Sequence, residues 1–138
     1  MRRMTSLALL LPFAALAACG SETQPPSTDE PRIKVRSSEQ EELHKFDAFN
    51  LAIALKRAIQ DAGFTCRRVT DAGFVGAYQN LDMWAAHCEY DRGEPRDWAI
   101  FAGPDGSAQV RDCRDIPGTG LPTCDIKSRP KGSFTELK

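Results

Sequence analysis

The sequence predicts one α+β domain, a single helix followed by a meander of three or four antiparallel strands and stapled by disulfides. Three observations point there. Apolar residues recur at helical spacing over residues 38–62 with no proline between them. After Gly63 the texture changes to short β-like runs bounded by glycine, proline and aspartate. Four of the five cysteines, Cys66, Cys88, Cys113 and Cys124, fall within that second region.

The helix is expected over residues 38–62. Ser38 with Glu41 fits a capping box, Glu39, Glu41 and Glu42 suit its positive end, and Gly63 supplies the stop. At 100° per residue, Leu51, Ala52, Leu55, Ile59 and Ala62 form the stripe that core packing needs. Leu43, Phe46 and Ile53 fall outside it, which leaves two readings: a broadly buried helix, or an exposed apolar face that meets a partner or a second copy in a homodimer.

Strands are expected over 64–70, 81–90, 96–102 and 107–113. The last two are joined by Gly103-Pro104-Asp105-Gly106, whose proline and glycine suit a tight reversal, and Asp91-Arg92-Gly93-Glu94-Pro95 separates the second from the third. The domain proper is set at 38–126, with a basic tail over 127–138.

Two disulfides are expected from the even set of cysteines: Cys66 with Cys88 across neighbouring strands, and Cys113 with Cys124 across the shorter loop that follows. Closing loops of this size contributes about 3 kcal/mol each in the chain-entropy account. A zinc site is the competing use of these thiols, but no C-x-x-C or H-x-x-x-H spacing occurs, so neither metal nor cofactor is expected.

Catalytic chemistry finds little support, and no catalytic residue is assigned. His87 beside Cys88 invites a nucleophile reading, yet neighbours on a strand point to opposite faces and the cysteine is expected to be bridged. No glycine-rich phosphate loop or serine elbow appears. Binding is the better class. Trp84, Trp98, Tyr78 and Tyr90 cluster in the strand region and suit a peptide, glycan or protein partner, although they suit a small core equally well. The candidate binding surface is Phe46, Ile53, Tyr78, Trp84 and Trp98.

The N-terminus carries the most specific motif. Arg2 and Arg3 precede an apolar run from Leu7 to Ala18, broken by Pro12 and too short to span a bilayer as a helix, and Leu16-Ala17-Ala18-Cys19 closes it. This closing motif resembles the lipobox of bacterial lipoproteins. The resemblance implies a signal peptide over 1–18, acylation of Cys19, and attachment to a membrane through its acyl chains. By the sorting rule of enteric lipoproteins, Gly20 after the cysteine implies the inner leaflet of the outer membrane, with the domain facing the periplasm. Residues 19–37, rich in proline and polar side chains, are expected to be a flexible tether.

Without Arg2 and Arg3 the charge falls from −1, with 18 basic and 19 acidic side chains, to −3. That balance argues against a nucleic-acid partner. The tail, with Lys127, Arg129, Lys131 and Lys138 against Glu136, is locally basic.

From Ala62-Gly63-Phe64-Thr65-Cys66 through Trp84, Cys88, Trp98 and Pro104-Asp105-Gly106 to Cys113, the layout resembles that of small, functionally unassigned envelope proteins of Gram-negative bacteria. Its order of helix then meander is also similar to PepSY-type domains, which are linked to restraining envelope enzymes. Neither resemblance transfers a functional residue. The sequence therefore predicts a non-catalytic binding module for an envelope protein or peptidoglycan. The alternatives are a structural or stress-related envelope protein without a specific ligand and, behind it, a small envelope hydrolase.

Overall fold

A computed structural model describes residues 36–134. The signal peptide at 1–18, Cys19 and most of the tether lie outside the described residues. In chain order the elements are α1 (Ser38–Lys45), α2 (Ala48–Asp61), β1 (Arg68–Tyr78), β2 (Leu81–Glu89), β3 (Arg96–Ala102), β4 (Ala108–Asp112) and a 3-10 turn (Cys113–Asp115). The strands form one antiparallel sheet in the order β1-β2-β3-β4. The fold is thus α+β, with two disulfides.

The single expected helix is two. Its capping box lies one residue earlier than Ser38 and Glu41: the Ser37 hydroxyl accepts from the Gln40 amide, and the Gln40 side chain accepts from the Ser37 amide. The break comes at Phe46-Asp47. Phe46 turns to extended backbone, and the Asp47 carboxylate caps α2 by accepting from the Asn50 amide at 2.8 Å. Aspartate is a poor interior helix residue and a good N-cap, so the local preference overrides continuity.

The end of α2 follows a Schellman pattern. Gly63, at φ +85°, donates to the Gln60 carbonyl, and Phe64 donates to that of Ile59. Phe64 and Thr65 are consequently outside the sheet, and the first strand starts at Arg68 rather than at 64.

β1 runs through Asp71, Gly73 and Gly76, residues that read as turn material, and has irregular register at Val69/Asp71 and Phe74/Gly76. Gly73 has a packing reason. A Cβ there would collide with the Ile126 side chain and the Ser128 carbonyl, because the C-terminal segment crosses at this point.

Both faces of the sheet are covered. Leu51, Leu55 and Ile59 of α2 pack with Trp84, Trp98 and Ile100 on one face. On the other, Val75, Met83 and Phe101 pack with Ile116, and Leu121, Cys124 and Ile126 close over them. The segment expected as a tail from Lys127 is instead docked as far as Phe134. Phe74 and Ser128 form a bridge on the free edge of β1, the Lys131 carbonyl accepts from the Ala48 amide at 2.8 Å, and Phe134 packs on the helix-side core.

Candidate functional site

The expected cysteine pairs are both formed: Cys66–Cys88, and Cys113–Cys124. The first ties the loop after α2 to the end of β2. The second closes the segment that covers the opposite face.

The proposed aromatic surface is largely interior. Trp84 and Trp98 are each 3% exposed, Tyr78 is half-buried against Phe101, and Phe46 is half-buried against the helix-side core. With two layers on so thin a sheet, large aromatics on β2 and β3 are needed to fill the space between them. Ile53 alone of the five is exposed.

An aromatic that does reach the surface beside this core is Phe64, which sequence reasoning placed in a strand. It lies on Trp98 with ring centroids 4.6 Å apart. Trp98 Nε1 donates to the Tyr90 hydroxyl at 3.3 Å, and that hydroxyl donates to the Thr65 carbonyl at 2.8 Å. Phe64, Tyr90 and Trp98 thereby line a cleft of about 360 Å³, rimmed by Arg92, Glu94 and Arg96. The signal for this was the Gly63-Phe64 pair: a helix stop followed by an aromatic places that ring where the chain turns back over the core.

Tyr90 also borders a second cleft of about 330 Å³ between α2 and the ends of β1 and β2. Here Ile53 and Lys56 face Arg67 and Arg68. Both arginines are matched, Arg67 to Asp91 at 3.0 Å and Arg68 to Glu89 at 2.7 Å. The two clefts combine apolar and charged surface with pre-arranged hydrogen bonds, a combination that suits binding.

A third cluster lies where the chain enters the domain. Asp82, on β2, is fully buried; its Oδ2 accepts from Arg36 Nε at 2.7 Å and from His44 Nε2 at 2.9 Å. The His44 ring packs on Phe74 and Trp84, and the Arg36 guanidinium lies over Phe74. Asp82 Oδ1 and Trp84 Nε1 have no hydrogen-bond partner among the described residues. Gln40 completes the attachment of α1, donating to the carbonyls of Asn80 and Ala102. Arg36, assigned to the tether by sequence, is therefore a structural residue of the domain.

No family model, no curated protein and no solved structure matches this chain. The site is accordingly read from its own geometry.

His87, the other histidine, donates from Nδ1 to Asp97 at 2.5 Å on the exposed end of the sheet, opposite Asp71 in the β1–β2 register. Its neighbour Cys88 is buried and bridged. Asp71 is held below the ordinary carboxylate value chiefly by the hydrogen bond from Arg129, which donates from Nε and from a terminal nitrogen. Among the described residues there is no group of three metal-ligating side chains and no helix long and apolar enough to cross a membrane.

Proposed function

We propose that this chain is a periplasm-facing lipoprotein, anchored through acyl chains on Cys19, whose disulfide-stapled domain binds another envelope component without catalysing a reaction. One observation carries the reading. Four of the five cysteines are joined in two bridges, which suits an oxidising compartment, and the fifth directly follows Leu16-Ala17-Ala18. Gly20 supports delivery to the inner leaflet of the outer membrane. The Phe64–Tyr90–Trp98 cleft suits an envelope protein segment or a peptidoglycan glycan, because an aromatic face stiffened from below binds with little loss of side-chain freedom. The bridge to Cys66 removes the Cys88 thiol from a nucleophile role beside His87.

The test is made in a Gram-negative cell. The full chain should incorporate an alkyne-tagged palmitate, and Cys19→Ser should not. In-cell crosslinking should recover one stoichiometric envelope partner or cell-wall fragment, and Phe64→Ala should lose it while the protein remains folded. Labelling that persists in Cys19→Ser would overturn the anchor. Crosslinks unaffected by Phe64→Ala would overturn the cleft.

A further inference from the structure

Phe49 and Ile53 are 49% and 44% exposed, a large apolar surface to leave facing water on one helix. They stand one turn apart on α2, and the same stripe continues into Lys56 and Arg57. Neither cation has a carboxylate partner among the described residues; the Lys56 ammonium donates to the Arg67 carbonyl at 2.9 Å. Glu89 and Asp91, which line the cleft with Lys56, are engaged by Arg68 and Arg67, and Asp61, one turn beyond Arg57, is the one carboxylate of α2, so the stripe carries two cations against a single acid at its end.

We propose that this stripe of α2 is a membrane-docking face, in which Phe49 and Ile53 enter the headgroup boundary of an anionic phospholipid layer and Lys56 and Arg57 face its phosphates. The proposal rests on the anchoring at Cys19 put forward above. An apolar pair beside unmatched cations is complementary to an anionic lipid surface. It is less complementary to a second copy: an isologous pair closed on this stripe would gather four cations against only the Asp61 carboxylate of each copy.

The path of the chain favours the same occupant. Arg36 and His44 share one oxygen of Asp82, so the segment leading from Cys19 enters the domain beside the end of α1. Phe49 lies five residues beyond His44, at most roughly 18 Å of chain. Read from their proline-rich, polar composition as a tether, the 18 residues from Cys19 to Arg36 would reach roughly 20–25 Å, enough for the α2 face to meet the layer that holds the acyl chains. Docking is then an intramolecular step, for which a small apolar patch and two cations suffice.

The test uses the full acylated chain carrying Phe49→Trp, mixed with vesicles whose acyl chains are brominated. Trp84 and Trp98 are each 3% exposed, so the introduced indole is the one that reports contact with lipid. The chain should float with vesicles of phosphatidylcholine alone and with vesicles containing phosphatidylglycerol. The introduced indole should shift to shorter wavelength and be quenched in the second kind only. Lys56→Gln and Arg57→Gln should each lower the docked-to-undocked ratio roughly fivefold. Flotation without quenching overturns the docking face and leaves the anchor standing. Quenching by anionic vesicles of a chain that mass spectrometry shows to be unacylated supports the face and overturns the anchor. Absence of both flotation and quenching overturns both. A blue shift that depends on protein concentration without vesicles assigns the face to a second copy and overturns the proposal.

Discussion

Asp82 shows how one buried side chain fixes the point where the chain enters the domain. A carboxylate with no solvent exposure would be very costly alone; Arg36 and His44 supply two donors, and Arg36 keeps contact with water. Asp82→Ala should therefore destabilise the domain by about 2–3 kcal/mol in urea unfolding, because it leaves both donors against an apolar wall of Phe74 and Trp84. Arg36→Gln should cost about 1 kcal/mol. A neutral Asp82→Ala would mean that the cluster does not hold α1. Two other carboxylates contribute to an acid limb of stability. Asp112 lies below its ordinary value mainly through the hydrogen bond from Arg114, and Asp71 through that from Arg129. A depressed carboxylate contributes stability above its unfolded-state value of about 3.9 and loses it as the pH falls through the lower folded-state value. The thermal midpoint should thus fall steadily below about pH 4, and Asp112→Asn should flatten that fall. Arg36 and Arg129 were not legible as partners in sequence, since they are separated from their acids by 46 and 58 positions, whereas Arg114 stands two residues from Asp112.

At the scale of elements, what was legible is what local chemistry decides. β3, its turn at Gly103–Gly106 and β4 alternate or cluster by side chain and stop at glycine or proline, and they were located to within a residue or two. Of the expected stripe, Leu51, Ala52, Leu55 and Ile59 are buried, while Ala62 is exposed as the C-cap and Ala48 takes a core place instead. The misread elements are those where a long-range contact decides. Asp47 could cap a helix or sit inside one, and β1 looks like loop because Gly73 must admit the C-terminal segment. Gly73→Ala should destabilise by about 2–3 kcal/mol through that collision. It should also raise trypsin cleavage after Lys127 and Lys131, because the Phe74–Ser128 bridge and the Lys131–Ala48 hydrogen bond depend on the same close approach. Unchanged cleavage would mean that Phe134 and the Arg129–Asp71 pair hold this segment unaided.

Over the described residues the domain is a four-stranded sheet covered on both sides, and each cover has its own disulfide. That arrangement compensates for a small core: neither the two short helices nor the loop-like C-terminal layer has the extent to hold the sheet alone. Cys113→Ala with Cys124→Ala opens a loop of 11 positions and should cost about 3 kcal/mol, a fall in thermal midpoint of roughly 12–24 °C for a domain of this size. The Cys66–Cys88 bridge closes 22 positions, and its sulfurs are themselves core atoms, with the two residues 4% and 0% exposed. Replacing that pair by alanine removes the loop constraint and also opens a void beneath α2, so its cost should exceed that of the first pair by about 1 kcal/mol or more. Reduction of the wild type breaks both bridges without removing the sulfurs. It should lower stability by about 6 kcal/mol, enough to unfold a domain whose net stability lies in the usual range of about 5–15 kcal/mol when it stands near the lower end. Scanning calorimetry of the two alanine pairs and of the reduced wild type separates these contributions. Equal losses in the two pairs would show that the Cys66–Cys88 site collapses around its void, and an unshifted midpoint on reduction would show that the two layers hold the sheet by packing alone.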